Sequence, residues 1–167
     1  MLNNANYNQN KENKIENSDQ YIVFMLNEQK FGFDVLNSRE IITADDLTSI
    51  PESADFIQGV INLRDKIIPI IDLHKRFKLQ DEIKTEDDKV IIISVNNTLI
   101  GLGVKQVEEI QRIESKKISQ APEITQGINQ DYIQGIARLN DKLIILIDID
   151  SIFSTKEIRQ IKNLDNK

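Results

Sequence analysis

A chain of 167 residues, 40% hydrophobic and 29% charged, can bury one core or two small ones and has the composition of an ordinary globular protein. Its formal charge of -6 excludes a broad electrostatic grip on nucleic acid, and the absence of Cys excludes a disulfide framework or a thiolate zinc site. Residues 1–19 lack the apolar core of a secretory signal, and apolar runs such as Ile67 to Ile71 are too short to cross a bilayer, so the chain is expected to be cytoplasmic.

Taken in order, residues 1–19 are rich in Asn, Lys and Glu and cannot bury enough surface to offset the entropy of ordering; they are expected to form a disordered tail. Tyr21 to Leu26, a break at Asn27 to Lys30, and Phe31 to Val35 read as a hairpin, with Phe31, Phe33 and Val35 alternating on one buried face. Leu36, Glu40 and Ile41 fall at helical spacing, which predicts a short helix or turn over Leu36 to Ile42, capped by Asn37 or Ser38. A loop around Pro51 follows.

Phe56 to His74 then organises the chain. Two β-branched runs flank Arg64-Asp65, which predicts a β-hairpin, and a copy returns at Tyr132 to Asp150 around Asn140-Asp141. Asn tolerates positive φ better than Arg, so the first loop is expected to be the longer one. Pro69 has no N–H and is expected at a sheet edge or bulge. Asp72 stands where a helix N-cap belongs, before Leu73 to Phe77. Residues 81–88 are polar and acidic and read as a seam. Beyond it, Val90 to Val104 with the Asn96-Asn97 turn aligns on Tyr21 to Val35, so the whole fold is duplicated. Ser115 to Ile118 suggests a helical turn, Ala121-Pro122-Glu123 an irregular connector, and Ser154 with Glu157 a capping box opening a C-terminal helix. The expected organisation is therefore a tail, a module over residues 20–165 with subdomain 1 at about 20–84 and subdomain 2 at about 85–153, and a helix at about 154–164.

Phe31-Gly-Phe-Asp-Val35, Glu40-Ile41, Gly59-Val-Ile-Asn-Leu-Arg64, Ile68-Pro-Ile-Ile-Asp-Leu73 and Lys75-Arg-Phe77 together resemble the CheW family of chemotaxis coupling proteins. The likeness runs from about Tyr21 to Phe153; where the family has Gly after Asn-Leu-Arg, this chain has Asp65. The resemblance implies a mostly β fold of two five-stranded, SH3-like barrels on a shared core, with short helices and a C-terminal helix. It implies a non-catalytic adaptor without cofactor or metal, coupling chemoreceptor cytoplasmic tips to the regulatory domain of the histidine kinase CheA in membrane-associated arrays. A chain beginning at Met1 with no kinase or receiver pattern is expected to be such an adaptor standing alone.

The residues expected at partner surfaces are Glu40, Gly59, Asn62, Leu63, Arg64, Val107 and Ile110. Each has a structural reading beside the functional one: Glu40 and Arg64 as solvated charges, Gly59 as a site of close backbone approach, Asn62 as a turn-anchoring amide, and Leu63, Val107 and Ile110 as core. Asp72 and Asp148 occupy equivalent places, but neither lies in a nucleophile or protease motif and capping accounts for both. His74, the single imidazole, is expected to face solvent beside Lys75 and Arg76. The alternative is a double-barrel module binding a small ligand or nucleic acid, which needs exposed aromatics among basic residues.

Overall fold

Four two-residue turns set the architecture, and all four have both residues at positive φ: Asn27-Glu28 (50° and 64°), Arg64-Asp65 (50° and 65°), Asn96-Asn97 (50° and 61°) and Asn140-Asp141 (51° and 63°). That geometry matches the right-handed twist of antiparallel strands. The computed structural model describes residues 18–43, 47–51, 54–79, 89–120 and 128–165. The turns close hairpins β1 (Ser18–Leu26) with β2 (Gln29–Asp34), β4 (Ile57–Leu63) with β5 (Lys66–Asp72), β6 (Lys89–Val95) with β7 (Thr98–Val104), and β10 (Ile133–Leu139) with β11 (Lys142–Ile147). The Arg64-Asp65 loop is therefore no longer than its copy. The Arg64 side chain lies in a bidentate pair with Glu40.

Two further expectations are corrected. Leu36 to Ile42 is not a helix: Val35–Asn37 makes one 3-10 turn, capped by Asp34 accepting from the Leu36 N–H at 2.9 Å, and β3 (Ser38–Thr43) follows. Leu36, Glu40 and Ile41 mimicked helical spacing, but Leu36 and Ile41 are exposed and bury no common stripe. Pro69 lies inside β5, between β4 and β7, not at an edge. Opposite it, Val60 exchanges both backbone bonds with Thr48 (2.8 and 2.9 Å), and the parallel ladder to β7 begins one residue later at Ile70, so no donor is required of Pro69.

The remaining elements are α1 (Leu73–Arg76), β8 (Gln111–Glu114), a 3-10 turn at Ser115–Lys117, β9 (Ile118–Ser119) and α2 (Thr155–Asp165). Strands order as β8-β1-β2-β11-β10-β9 in a first sheet and β3-β6-β7-β5-β4 in a second. The sheets are thus not the sequence halves, and the division at about residue 84 does not separate them. Each half gives its first hairpin to the other half's sheet: β2 runs parallel to β11 and β7 parallel to β5.

Packing follows the same exchange. Tyr21 and Val23 pack with Ala137, Ile144 and Leu146 inside the first sheet, and their duplicates Val90 and Ile92 pack with Ile61, Ile68 and Ile70 inside the second. A larger core between the sheets, with Phe24, Phe31, Phe33, Ile71, Ile91 and Leu102, is closed by Ile158 and Ile161 of α2. The fold is mostly β, two sheets of partial barrel shape on one shared core. Residues 1–17, the acidic seam and Ala121-Pro122-Glu123 lie outside the described residues, whereas Ser18 and Asp19, expected in the disordered tail, open β1 because they pair with Glu114 and Ile113 of β8.

Candidate partner-binding surface

β4 carries Gly59, Asn62 and Leu63 and leads to Arg64 at the hairpin tip. The strand has a bulge between Ile57 and Gly59, and a Cβ on Gly59 would lie 2.5 Å from the Thr48 carbonyl oxygen. Gly59 therefore permits close approach of another backbone, and Gly135 repeats both bulge and approach, against Ser119. Asn62 is exposed, while Leu63 packs against the inner cluster of the second sheet.

Arg64 reaches across the sheet opening to Glu40, donating from Nη1 to Oε1 at 3.0 Å and from Nη2 to Oε2 at 2.7 Å. The pairing with Glu40 raises the guanidinium pKa further above its ordinary value. Glu40 reaches this position as a strand residue: a register shift between Ser38 and Glu40 in β3 sets its side chain on the half-buried face, leaving Ile41 outward. Arg64 itself stays 74% exposed, so the pair shows a cation to solvent.

Val107 and Ile110 lie elsewhere, on the connector from β7 to β8. Val107 is half-buried against the shared core, and Ile110 is 54% exposed. Under the duplication Ile110 is the counterpart of Ile41, so the two exposed apolar residues occupy equivalent places, one for each sheet. Ile67 and Leu143 form a second such pair, at 39% and 49% exposure beside the two hairpin tips. Sequence reading did not name Ile41, Ile67 and Leu143 as surface candidates, Ile41 because it fell at helical spacing and the other two because they sit inside apolar strand runs. The signal was available in the repeat, which keeps an apolar residue beside Lys66 and again beside Lys142.

Neither paired carboxylate is arranged for chemistry. Asp72 accepts from the N–H groups of His74 (3.0 Å) and Lys75 (3.3 Å), capping α1, and hydrogen bonding with the His74 side chain, foremost, holds its pKa below the ordinary range. His74 is largely buried, its side chain 14% exposed with Nδ1 3.7 Å from Asp72, and does not face solvent as expected. Asp148 caps the turn Ile149–Ser151 through the Asp150 N–H and the Ser151 hydroxyl. Among the described residues no group of His, Asp and Glu could hold a metal ion, and no helix is long and apolar enough to cross a membrane. Phe24, Phe31 and Phe33 are buried in the shared core, so they do not form the stacking face that a nucleic-acid module needs.

The family model described as CheW-like domain matches residues 20–157. The chain is similar to the chemotaxis protein CheW of Treponema pallidum, 31% identical over 149 residues that cover 87% of this chain and 88% of that protein. It is similar to the chemotaxis protein CheW of Klebsiella aerogenes at 32% identity, covering 87% of each. Among solved structures it resembles the scaffolding protein TtCheW of Thermoanaerobacter tengcongensis, with a TM-score of 0.75, 37% identity, and coverage of 83% of this chain and 90% of that one.

Proposed function

Because the chain belongs to the CheW-like domain family, whose members are scaffolding proteins of chemotaxis and not catalysts, we propose that it couples the cytoplasmic tips of chemoreceptors to the histidine kinase CheA. The observation that carries this reading is the family match across residues 20–157, which spans both sheets and every candidate surface residue. The protein works in the cytoplasm and is held at membrane-associated receptor arrays by its partners. It acts by complementarity alone: a change of receptor conformation biases the kinase through differential contacts with the scaffold.

Within that reading the surface residues take distinct parts. Ile110 supplies an exposed apolar anchor and Val107 the floor beside it, suited to the apolar face of a receptor helix. Arg64, oriented by Glu40, supplies a charge that selects and steers a partner. Gly59 and Leu63 hold β4 in shape, and Asn62 lies exposed beside the tip.

The test is binding of purified receptor-tip fragment and kinase regulatory domain to Arg64→Glu and Ile110→Asp. Arg64→Glu removes an exposed pair and should leave the melting temperature close to that of the parent. Each variant should weaken at least one partner by about tenfold or more, about 1.4 kcal/mol. Full affinity of both variants for both partners would mean that these residues are not the interface.

A further inference from the structure

The stretch Val107 to Ile110 is the duplicate of Ser38 to Ile41, yet the two are held differently. In the first half the stretch belongs to β3 and is fixed by a ladder in which Glu40 pairs with Ile92 and Ile41 with Ile91. In the second half, residues 106–110 lie outside any strand, and β8 starts only at Gln111. The connector also carries Gln106 at φ 45°, a left-handed backbone that costs a non-glycine residue free energy and persists only where neighbours impose it.

What fixes the connector is hairpin β1-β2. The Met25 N–H donates to the Lys105 carbonyl at 3.3 Å, and the Glu108 N–H donates to the Val23 carbonyl at 2.7 Å. Lys30 Nζ donates to Glu108 Oε2 at 3.1 Å, with the two side chains only 23% and 31% exposed. Lys30 is itself well anchored: its backbone faces Met25 on one side and Ile144 of β11 on the other, in the interior of the first sheet. The first half has no such pair, since the duplicates of Lys30 and Glu108 are Leu99 and Arg39.

From this we infer that Lys30 and Glu108 are positioning residues for the partner surface: their ion pair replaces the missing ladder and sets where Val107 and Ile110 stand. Neither side chain need touch the partner. The inference rests on the proposal that Val107 and Ile110 dock a receptor helix. It adds that docking strength is governed from Glu108, between Val107 and Ile110, through a fastening to β2 that can be broken without opening either sheet.

The experiment measures three properties of Lys30→Met, Glu108→Gln, the charge reversal Lys30→Glu with Glu108→Lys, and Ile110→Asp in the full chain: affinity for a purified receptor-tip fragment, amide hydrogen exchange, and melting temperature. Each of the two single latch variants should lose roughly three- to tenfold in affinity. Exchange should speed up at the Glu108 amide in both, with melting lowered by less than about 5 °C. The reversed pair should restore affinity and protection together, which a merely local contact with the partner would not do. If Ile110→Asp loses binding while both latch variants keep full affinity, the positioning inference is wrong and the docking reading stands. Full affinity of Ile110→Asp overturns the docking reading and, with it, this inference.

Discussion

Arg76 shows how much a single residue can join. Its Nε donates to the Ile152 carbonyl at 2.7 Å, its Nη2 to the Tyr132 hydroxyl at 2.9 Å, and both its Nη atoms pair with the Glu157 carboxylate, while its guanidinium lies 5.0–5.3 Å from the ring centres of Phe56, Tyr132 and Phe153. Glu157 also accepts from the Ser154 N–H, so one carboxylate both caps α2 and receives α1. Arg76→Met should cost about 2–4 kcal/mol, because it strands a sheltered carboxylate and two acceptors; chemical denaturation measures it. Burial pushes the Glu157 carboxyl up, but bonds from Arg76 and Ser154 more than offset this and hold its pKa below the ordinary value. A carboxyl depressed in the folded state adds stability above its unfolded pKa and loses it as pH falls through the folded value. The stability gap between the parent and Glu157→Gln should therefore be full at neutral pH and close below the ordinary Glu pKa of about 4.3; a gap that widens in acid would contradict the sign. Sequence placed Asp72, Asp148 and the Ser154 capping box correctly, since a cap and its target lie within three residues. It gave no warning about Arg76, because its burial depends on Tyr132, Ile152 and Glu157, far along the chain.

Elements built from local pattern were legible. Period-two alternation and Asn-rich turns gave all four hairpins, and the duplication explains why the same turn geometry recurs even where Arg64 and Asp65 replace better turn formers. β3 was lost because six residues carry too little pattern to outweigh an accidental helical spacing, and β9, with two residues, carries none. The bulge at Gly59 marks where the second sheet closes on Thr48, and it allows a test at this scale. Gly59→Val would drive a branched side chain into the Thr48 backbone and should destabilise by about 1–3 kcal/mol. Gly135→Val should cost a similar amount at the equivalent closure of the first sheet, and thermal melting of the two variants side by side checks the equivalence. The candidate surface was legible only in part: Arg64 and Glu40 were named from the family pattern, but their mutual pairing depends on a strand that the sequence read as a helical turn.

At the scale of the molecule, self-similarity has a blind spot. A duplicated sequence shows that β5 and β11 are alike, and for that very reason cannot say which of them β2 will pair with. The structure chooses exchange, and the aromatic residues follow: Phe56 packs on Phe153 and Phe77 on Tyr132, each ring meeting one from the other half, at 5.9 and 6.2 Å. Cutting the chain at a protease site placed within residues 80–88 should therefore leave one particle. The fragments should co-elute under native conditions with β content intact and separate only in denaturant; two independently eluting folded fragments would refute the exchange. The same topology imposes an order on synthesis. Lys30 of β2 needs Ile144 of β11, so at about 5–20 residues per second the hairpin made first waits on the order of ten seconds for its neighbour. Meanwhile all strands of the second sheet have already emerged. The nascent chain thus completes its later-starting sheet first, and Phe24, Phe31 and Phe33 can meet Ile71, Ile91 and Leu102 while the edge of β2 that receives β11 is still unpaired, which makes that edge the one most in need of protection on the ribosome.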